Sequence, residues 1–366
     1  MKTTYLLMLV LVGLLLSGCG FIFNQPLVGP DGTVALFVND DGTYSMLPEG
    51  DSHLVLLRDG DVVSRANVFS SGDSGVLDWS FDGSQILFVE TEQDEYGQPI
   101  AWSVRLSGVQ SDSVPVTLFR TEDLILSPMF TKDGDITYLD LKDDSDLPRL
   151  TLYDRAEGTN KVLRDDIVSY RRATWDGALL IISETIEGSL KLAHVSSYNV
   201  MSGEATEAAS FFLAEGMEEI LFLLPASFLW DVASVDNYVA ITIYDQALIT
   251  PQLDNSDDQP ALYLINTVEE SALKVSDAGV VPAFSPNGHI LSYIGAAGEK
   301  PDIPVIYLYD MDRQESRALD NTIGASSLFW IDDETLGFTI DNKDDTYRVM
   351  KVSPVTGEVT PLLPEI

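Results

Sequence analysis

Acidic residues gathered into short loops are the most concentrated chemical feature of this sequence. Glu92-Gln93-Asp94-Glu95, Asp143-Asp144-Ser145-Asp146, Asp254-Asn255-Ser256-Asp257-Asp258 and Asp341-Asn342-Lys343-Asp344-Asp345 each set several carboxylates side by side. Hard cations are held by about six to eight oxygens from such groups, so calcium is chemically conceivable. None of the four runs reads Asp-x-Asp-x-Asp-Gly, the spacing of a calcium loop, and no other cofactor is implied. Paired carboxylates also hydrolyse or eliminate glycosides, provided two converge roughly 5–10 Å apart with one pKa raised. Abundance alone does not bring about that convergence. The simplest expectation is a solvated acidic surface, and the sharper one is a face that attracts cations or a basic partner.

The remaining reactive side chains are few and scattered. His53, His194 and His289 stand far apart, and each reads as an ordinary strand or turn residue rather than a zinc ligand. Gly72-Asp73-Ser74-Gly75 offers a serine, but a Ser–His–Asp triad needs a base and only His53 precedes it, so a polar loop is expected. Gly-x-Ser-x-Gly, His-Glu-x-x-His and Gly-x-Gly-x-x-Gly do not occur. Tyr96 and Trp102 flank the first acidic loop and would suit stacking on a sugar or peptide, although packing at a strand edge accounts for Trp102 equally well. With 21 Lys+Arg against 58 Asp+Glu, the formal charge of −37 excludes nucleic acid as a partner and disfavours docking on anionic lipid.

The single Cys of the chain removes disulfide frameworks and thiolate zinc clusters. It stands after Lys2, an apolar run from Tyr5 to Leu16, and Leu16-Ser17-Gly18. About twelve apolar residues make a helix near 18 Å, too short for a hydrocarbon core of roughly 30 Å. A short basic start, an apolar middle and small residues before a cut describe a signal peptide. Leu16-Ser17-Gly18-Cys19 resembles the lipobox of bacterial lipoproteins, which implies cleavage after residue 18 and acylation of Cys19. Two or more acyl chains anchor stably where one does not. Gly20 stands where the family's inner-membrane retention Asp would be, so the resemblance implies the outer membrane, or the outer face of the cell membrane in a one-membrane bacterium. Residues 1–18 are thus expected to be the leader, 19–27 a lipidated tether and 28–366 one folded domain.

The elements that would position the acidic loops follow from a repeat. Turns at Asp31, Asp82, Asp133, Asp176, Asp236, Asn287 and Asp333 are 51, 51, 43, 60, 51 and 46 residues apart, and each precedes a short β-rich run. Asp-Gly and Asn-Gly suit tight turns because both residues tolerate positive φ. Trp79, Phe130, Phe284 and Trp330 stand three residues before their turns and are expected to end a strand and fill the space between neighbouring sheets. Further alternating runs, among them Trp102 to Leu106, Leu150 to Tyr153, Leu262 to Ile265 and Ile306 to Tyr309, bring the count to four strands per repeat. The fold class is therefore all-β, a β-propeller of four-stranded antiparallel blades. Seven blades fit the spacing, while the long fifth repeat, which lacks Gly, leaves six or eight open. Residues 210–224 are apolar enough to form a helical insertion between blades.

Trp79 to Val89 and Phe284-Ser285-Pro286-Asn287-Gly288 to Tyr293 are similar to the Ser-Pro-Asp-Gly repeats of TolB-like propellers. The resemblance implies the fold and carries no catalytic residue. Related blades also form the gating domain of prolyl-oligopeptidase-type enzymes, but no hydrolase domain is expected to follow here. In a propeller equivalent loops emerge at the same end, so Asp94, Glu95, Asp143, Asp144, Asp146, Asp254, Asp257, Asp258, Asp341, Asp344 and Asp345 are expected to form an acidic crown around one channel mouth. The function expected is that of an envelope lipoprotein, a non-enzymatic binding or scaffold module for a protein, peptide or glycan. The alternative is a propeller glycosidase or lyase using carboxylates at the channel mouth.

Overall fold

The computed structural model describes residues 24–39, 41–46, 52–59, 61–66, 74–96, 99–110, 113–142, 147–172, 178–187, 190–213, 229–233, 237–244, 260–269, 271–297, 300–342 and 346–363. Seven antiparallel sheets of four strands each follow one another along the chain, and every sheet takes its strands in sequence order. Their first strands are Leu27–Val28, Ser74–Trp79, Leu124–Phe130, Ile167–Arg172, Trp230–Val232, Val280–Phe284 and Ala325–Asp332. First strands of successive blades approach one another, and that of blade seven returns to that of blade one. The chain is a seven-bladed β-propeller with its first strands innermost.

The recurring turn explains why each blade starts as it does. In blade two, Asp82 Oδ1 accepts the Ser84 N–H at 3.0 Å and the Ser80 and Ser84 hydroxyls at 2.7 and 2.8 Å. Gly83, at φ 68°, then reverses the chain with a 2.9 Å bond to the Ser80 carbonyl. Asp31 accepts from Thr33 and Asn287 from His289 in the same way, at 3.0 and 2.9 Å. Where blade five lacks the glycine, Asn237 takes positive φ instead. Residues 173–177 around Asp176, and Asp236 itself, lie outside the described residues.

The aromatic residues before the turns do fill the spaces between blades. Trp79 and Phe130 are 1% and 2% exposed, and Phe284 and Trp330 are 7% exposed. Trp79 Nε1 reaches back to the Leu27 carbonyl of blade one at 3.1 Å, and Trp330 Nε1 to the Ala283 carbonyl of blade six at 3.0 Å. An indole that buries its ring between two sheets and bonds the earlier one joins hydrophobic burial to orientation. Trp230 does the same from blade five to Ser169 of blade four, at 3.0 Å.

The ring closes between blades one and seven. Tyr347 donates its N–H to the Tyr44 carbonyl at 2.8 Å, and Val34, Leu36, Val349 and Leu362 form one buried cluster behind it. No strand is exchanged between the two blades among the described residues. The chain also enters the ring sooner than a tether over 19–27 would allow. Asn24 is fully buried, and its side chain pairs with the N–H and C=O of Phe37 at 3.1 and 2.8 Å, as a neighbouring peptide group would. Its own N–H donates to Met46, and Tyr44 donates to its carbonyl.

A helical insertion over 210–224 is not what begins there. Ser210–Leu213 complete the fourth strand of blade four, paired with Lys191–His194, because the nine-residue third strand Leu190–Tyr198 offers them backbone hydrogen-bond partners. The rest of that segment lies outside the described residues.

Candidate functional site

Two aspartates and two arginines meet at the inner strands. Asp78 and Asp231 occupy the same place in blades two and five, second from the end of the first strand. Each accepts the backbone N–H of the phenylalanine that ends the next blade's first strand: Asp78 from Phe130 and Asp231 from Phe284, both at 2.7 Å. Blade four ends its first strand with Arg171 and Arg172. Arg172 reaches past blade three to ion-pair with Asp78 of blade two, its guanidinium 4.7 Å over the Phe81 ring. Arg171 turns the other way, onto the Trp230 carbonyl at 2.5 Å and Asp231 at 3.0 Å.

The electrostatics balance within this group. All four side chains are a quarter exposed or less. Burial pushes the Asp78 carboxyl above its usual range, while the Arg172 guanidinium and the N–H groups of Phe130 and Trp79 pull it back. Two charges of each sign thus tie blades two, three, four, five and six together through the inner wall. Chemically this is a clamp, because each carboxylate oxygen that could move a proton is already engaged.

A second arrangement lies on blade four. Thr185 Oγ1 is 2.7 Å from His194 Nε2, and His194 Nδ1 is 3.1 Å from Glu207 Oε2. Hydroxyl, imidazole and carboxylate sit on three adjacent strands as diagonal neighbours, and the whole set faces solvent. Such a relay can orient the imidazole and pass a proton. Sequence could not show it, since a bulge between Val195 and Ser196 sets the register that brings Glu207 to His194.

Of the residues expected to form the acidic crown, Asp94, Glu95 and Asp341 are described. Asp94 accepts the Tyr96 N–H at 2.8 Å and so shapes its own loop, while Glu95 and Asp341 are exposed. Cys19, Asp143, Asp144, Asp146, Asp254, Asp257, Asp258, Asp344 and Asp345 lie outside the described residues. Among the described residues no three His, Cys, Asp or Glu come together as a metal site requires. Glu92, in the same run as Asp94, takes a two-pronged bond from Arg120 at 2.8 Å, which holds its carboxyl below the usual range.

His53 and His194 lie in strands, and Ser74 opens the first strand of blade two opposite Glu90. Trp102 is packed with Leu87, Val89 and Phe130, so strand packing accounts for it, whereas Tyr96 is 79% exposed. An open polar groove of about 280 Å³ runs between Arg317–Asn321 and Val355–Gly357 at the rim of blades six and seven.

No protein-family model matches the chain, and no curated protein matches it. Solved structures do. An oligogalacturonate lyase in complex with manganese aligns at a TM-score of 0.53 and 15% identity over 89% of this chain and 85% of its own. A prolyl endopeptidase aligns at 0.58 and 12% over 94% of this chain, which spans half of that enzyme's length. TolB from Acinetobacter baumannii aligns at 0.44 and 11% over 86% of this chain and 77% of its own. At these identities the likeness is one of fold. The lyase and the prolyl endopeptidase have different activities, so the propeller is shared across different activities.

Proposed function

We propose that this chain is a lipid-anchored envelope lipoprotein whose propeller serves as a non-enzymatic platform for a protein, peptide or glycan. One observation carries the reading: the buried carboxylates of the inner strands are consumed in holding blades together. Asp78 and Asp231 each face an arginine and the N–H of the next blade. Acid catalysis at a channel mouth needs a pair of carboxyls aimed at a substrate, and these are aimed at the ring itself. Loops on a rigid ring offer a broad docking area without reactive groups. With 58 acidic residues against 21 basic ones, the partner's contacts should be cationic.

The anchor belongs to the same proposal, on the strength of Leu16-Ser17-Gly18-Cys19. In cell fractionation the chain is expected to go with the membrane and to take up labelled fatty acid, and Cys19→Ser is expected to lose both. A soluble, unlabelled wild type would end the anchoring part.

A carboxylate-based glycosidase or lyase is the second reading, favoured by the upward push on the buried Asp78 carboxyl. Assay of the purified ring on acidic and neutral oligosaccharides separates the two. Turnover lost on Asp78→Asn while the fold persists would establish the enzyme.

A further inference from the structure

We infer that the ring stands on the bilayer by one defined end, the end that carries the loops between second and third strands, so that the strand-one turns face away from the lipid. The inference rests on acylation of Cys19 as proposed above and adds to it the orientation of the whole molecule.

The geometry begins with how the chain crosses from blade to blade. Each blade has four antiparallel strands in order, and the links from a fourth strand to the next first strand are short, as from Thr121 to Leu124, Arg164 to Ile167 and Ser276 to Val280. Links of this length cannot change ends. All first strands therefore run the same way, and the loops between second and third strands share one end with the blade-to-blade links. The turns between first and second strands lie at the other. The first strand of blade three, Leu124–Phe130, separates the two ends by roughly 20 Å at about 3.3 Å per residue.

Asn24 fixes which end the N-terminal segment leaves. Its N–H donates to the Met46 carbonyl at 2.7 Å, its side chain donates to the Ser45 carbonyl at 2.8 Å, and Tyr44 donates to its carbonyl. Tyr44, Ser45 and Met46 belong to the loop between the second and third strands of blade one, Val34–Asn39 and Ser52–Arg58. Only Gly20, Phe21, Ile22 and Phe23 stand between Cys19 and this anchored residue. Five steps of chain span at most about 18 Å. That reach is less than the roughly 20 Å between the ends, and three of the four intervening residues are apolar.

Large exposed apolar side chains occur at both ends, with Val114, Met201, Val268 and Val355 in loops between third and fourth strands at the far end, so the short reach from Cys19 and not apolar exposure selects this one. Tyr96 is 79% exposed in the blade-two loop, and Ile186 is 69% exposed near the end of the second strand of blade four. Ile323 is 59% exposed in the link from blade six to blade seven. Glu95 and Asp341, exposed at this end, limit the approach to anionic lipid, with a screening length near 8 Å at physiological salt. The occupant of this end is thus the lipid surface that holds the acyl chains, and the free docking face is the opposite one.

Because Cys19 is the only cysteine and its thiol would be acylated, one added cysteine is a unique labelling site. Glu95→Cys marks the loop end and Lys132→Cys the turn end, and both native residues are exposed. The full acylated proteins, bound to phosphatidylethanolamine–phosphatidylglycerol vesicles that carry a nitroxide headgroup lipid, are read by fluorescence quenching of the label. Quenching at position 95 is expected to exceed that at position 132 several-fold. Equal quenching, or more at 132, overturns the orientation while leaving the anchor intact. Failure of the chain to float with the vesicles overturns the anchor and the orientation with it, so the two failures are told apart.

Discussion

The arginine pair of blade four is where single atoms matter most. Arg172 and Asp78 are almost fully enclosed, and removing either leaves the other as a buried, uncompensated charge. Such losses cost about 3–5 kcal/mol. Arg172→Ala is therefore expected to lower the unfolding free energy by that order, read as a lower urea midpoint. The Arg172→Ala/Asp78→Ala double variant should lose less than the sum of the two singles, which equilibrium unfolding would show directly. The turn aspartates act differently. Ser80, Ser84 and the Ser84 N–H hold the Asp82 carboxyl down at about 2, and Thr33 and Thr43 lower Asp31 and Asp41 in the same manner. These groups bind protons more weakly in the folded ring than in the unfolded chain. Their contribution is therefore full above the ordinary carboxylate pKa near 4 and drains away as pH falls towards about 2. Melting followed across that window should show the loss, and Asp82→Asn should make the slope shallower. An unchanged slope would mean the bonds to Asp82 do not persist in solution.

At the scale of the element, packing between blades decides. Gly337 lies on the second strand of blade seven, where a methyl group would fall inside the Phe329 ring of the neighbouring first strand. Overpacking of this kind costs about 1–3 kcal/mol. Gly337→Ala should lower the melting temperature, and Phe329→Leu in the same chain should restore part of it. Trp79→Ala removes a fully enclosed indole and its bond to Leu27, with an expected loss of about 3–5 kcal/mol by chemical denaturation. The turns and the aromatics before them were legible in the sequence because both are local: Asp82-Gly83 makes its own bonds, and Trp79 stands three residues away. The Asp78–Arg172 pair was not legible, since it joins residues 94 positions apart through the curvature of a ring. Thr185, His194 and Glu207 escaped for a related reason, as a bulge sets their register. Asn24 escaped too, because a residue just after an apolar run reads as tether until its amide is seen to take the place of a strand.

Over the whole molecule, the ring holds by pairs and packing between successive blades, with blade seven meeting blade one through Tyr44, Tyr347 and the cluster around Val349. Among the described residues those links are hydrogen bonds, ion pairs and apolar contacts, and a chelator is expected to leave the melting temperature unchanged. A marked fall would assign calcium to the acidic loops. The ring was legible from seven turns about fifty residues apart, whereas any partner was not, because an acidic surface states the sign of a ligand's charge and little more. Cross-linking in intact cells followed by mass spectrometry of wild type and Cys19→Ser tests the central claim most directly. One reproducible envelope partner, linked to the face away from the lipid and lost with Cys19→Ser, is the predicted result. Links scattered over unrelated proteins, unchanged by the substitution, would contradict an anchored docking platform.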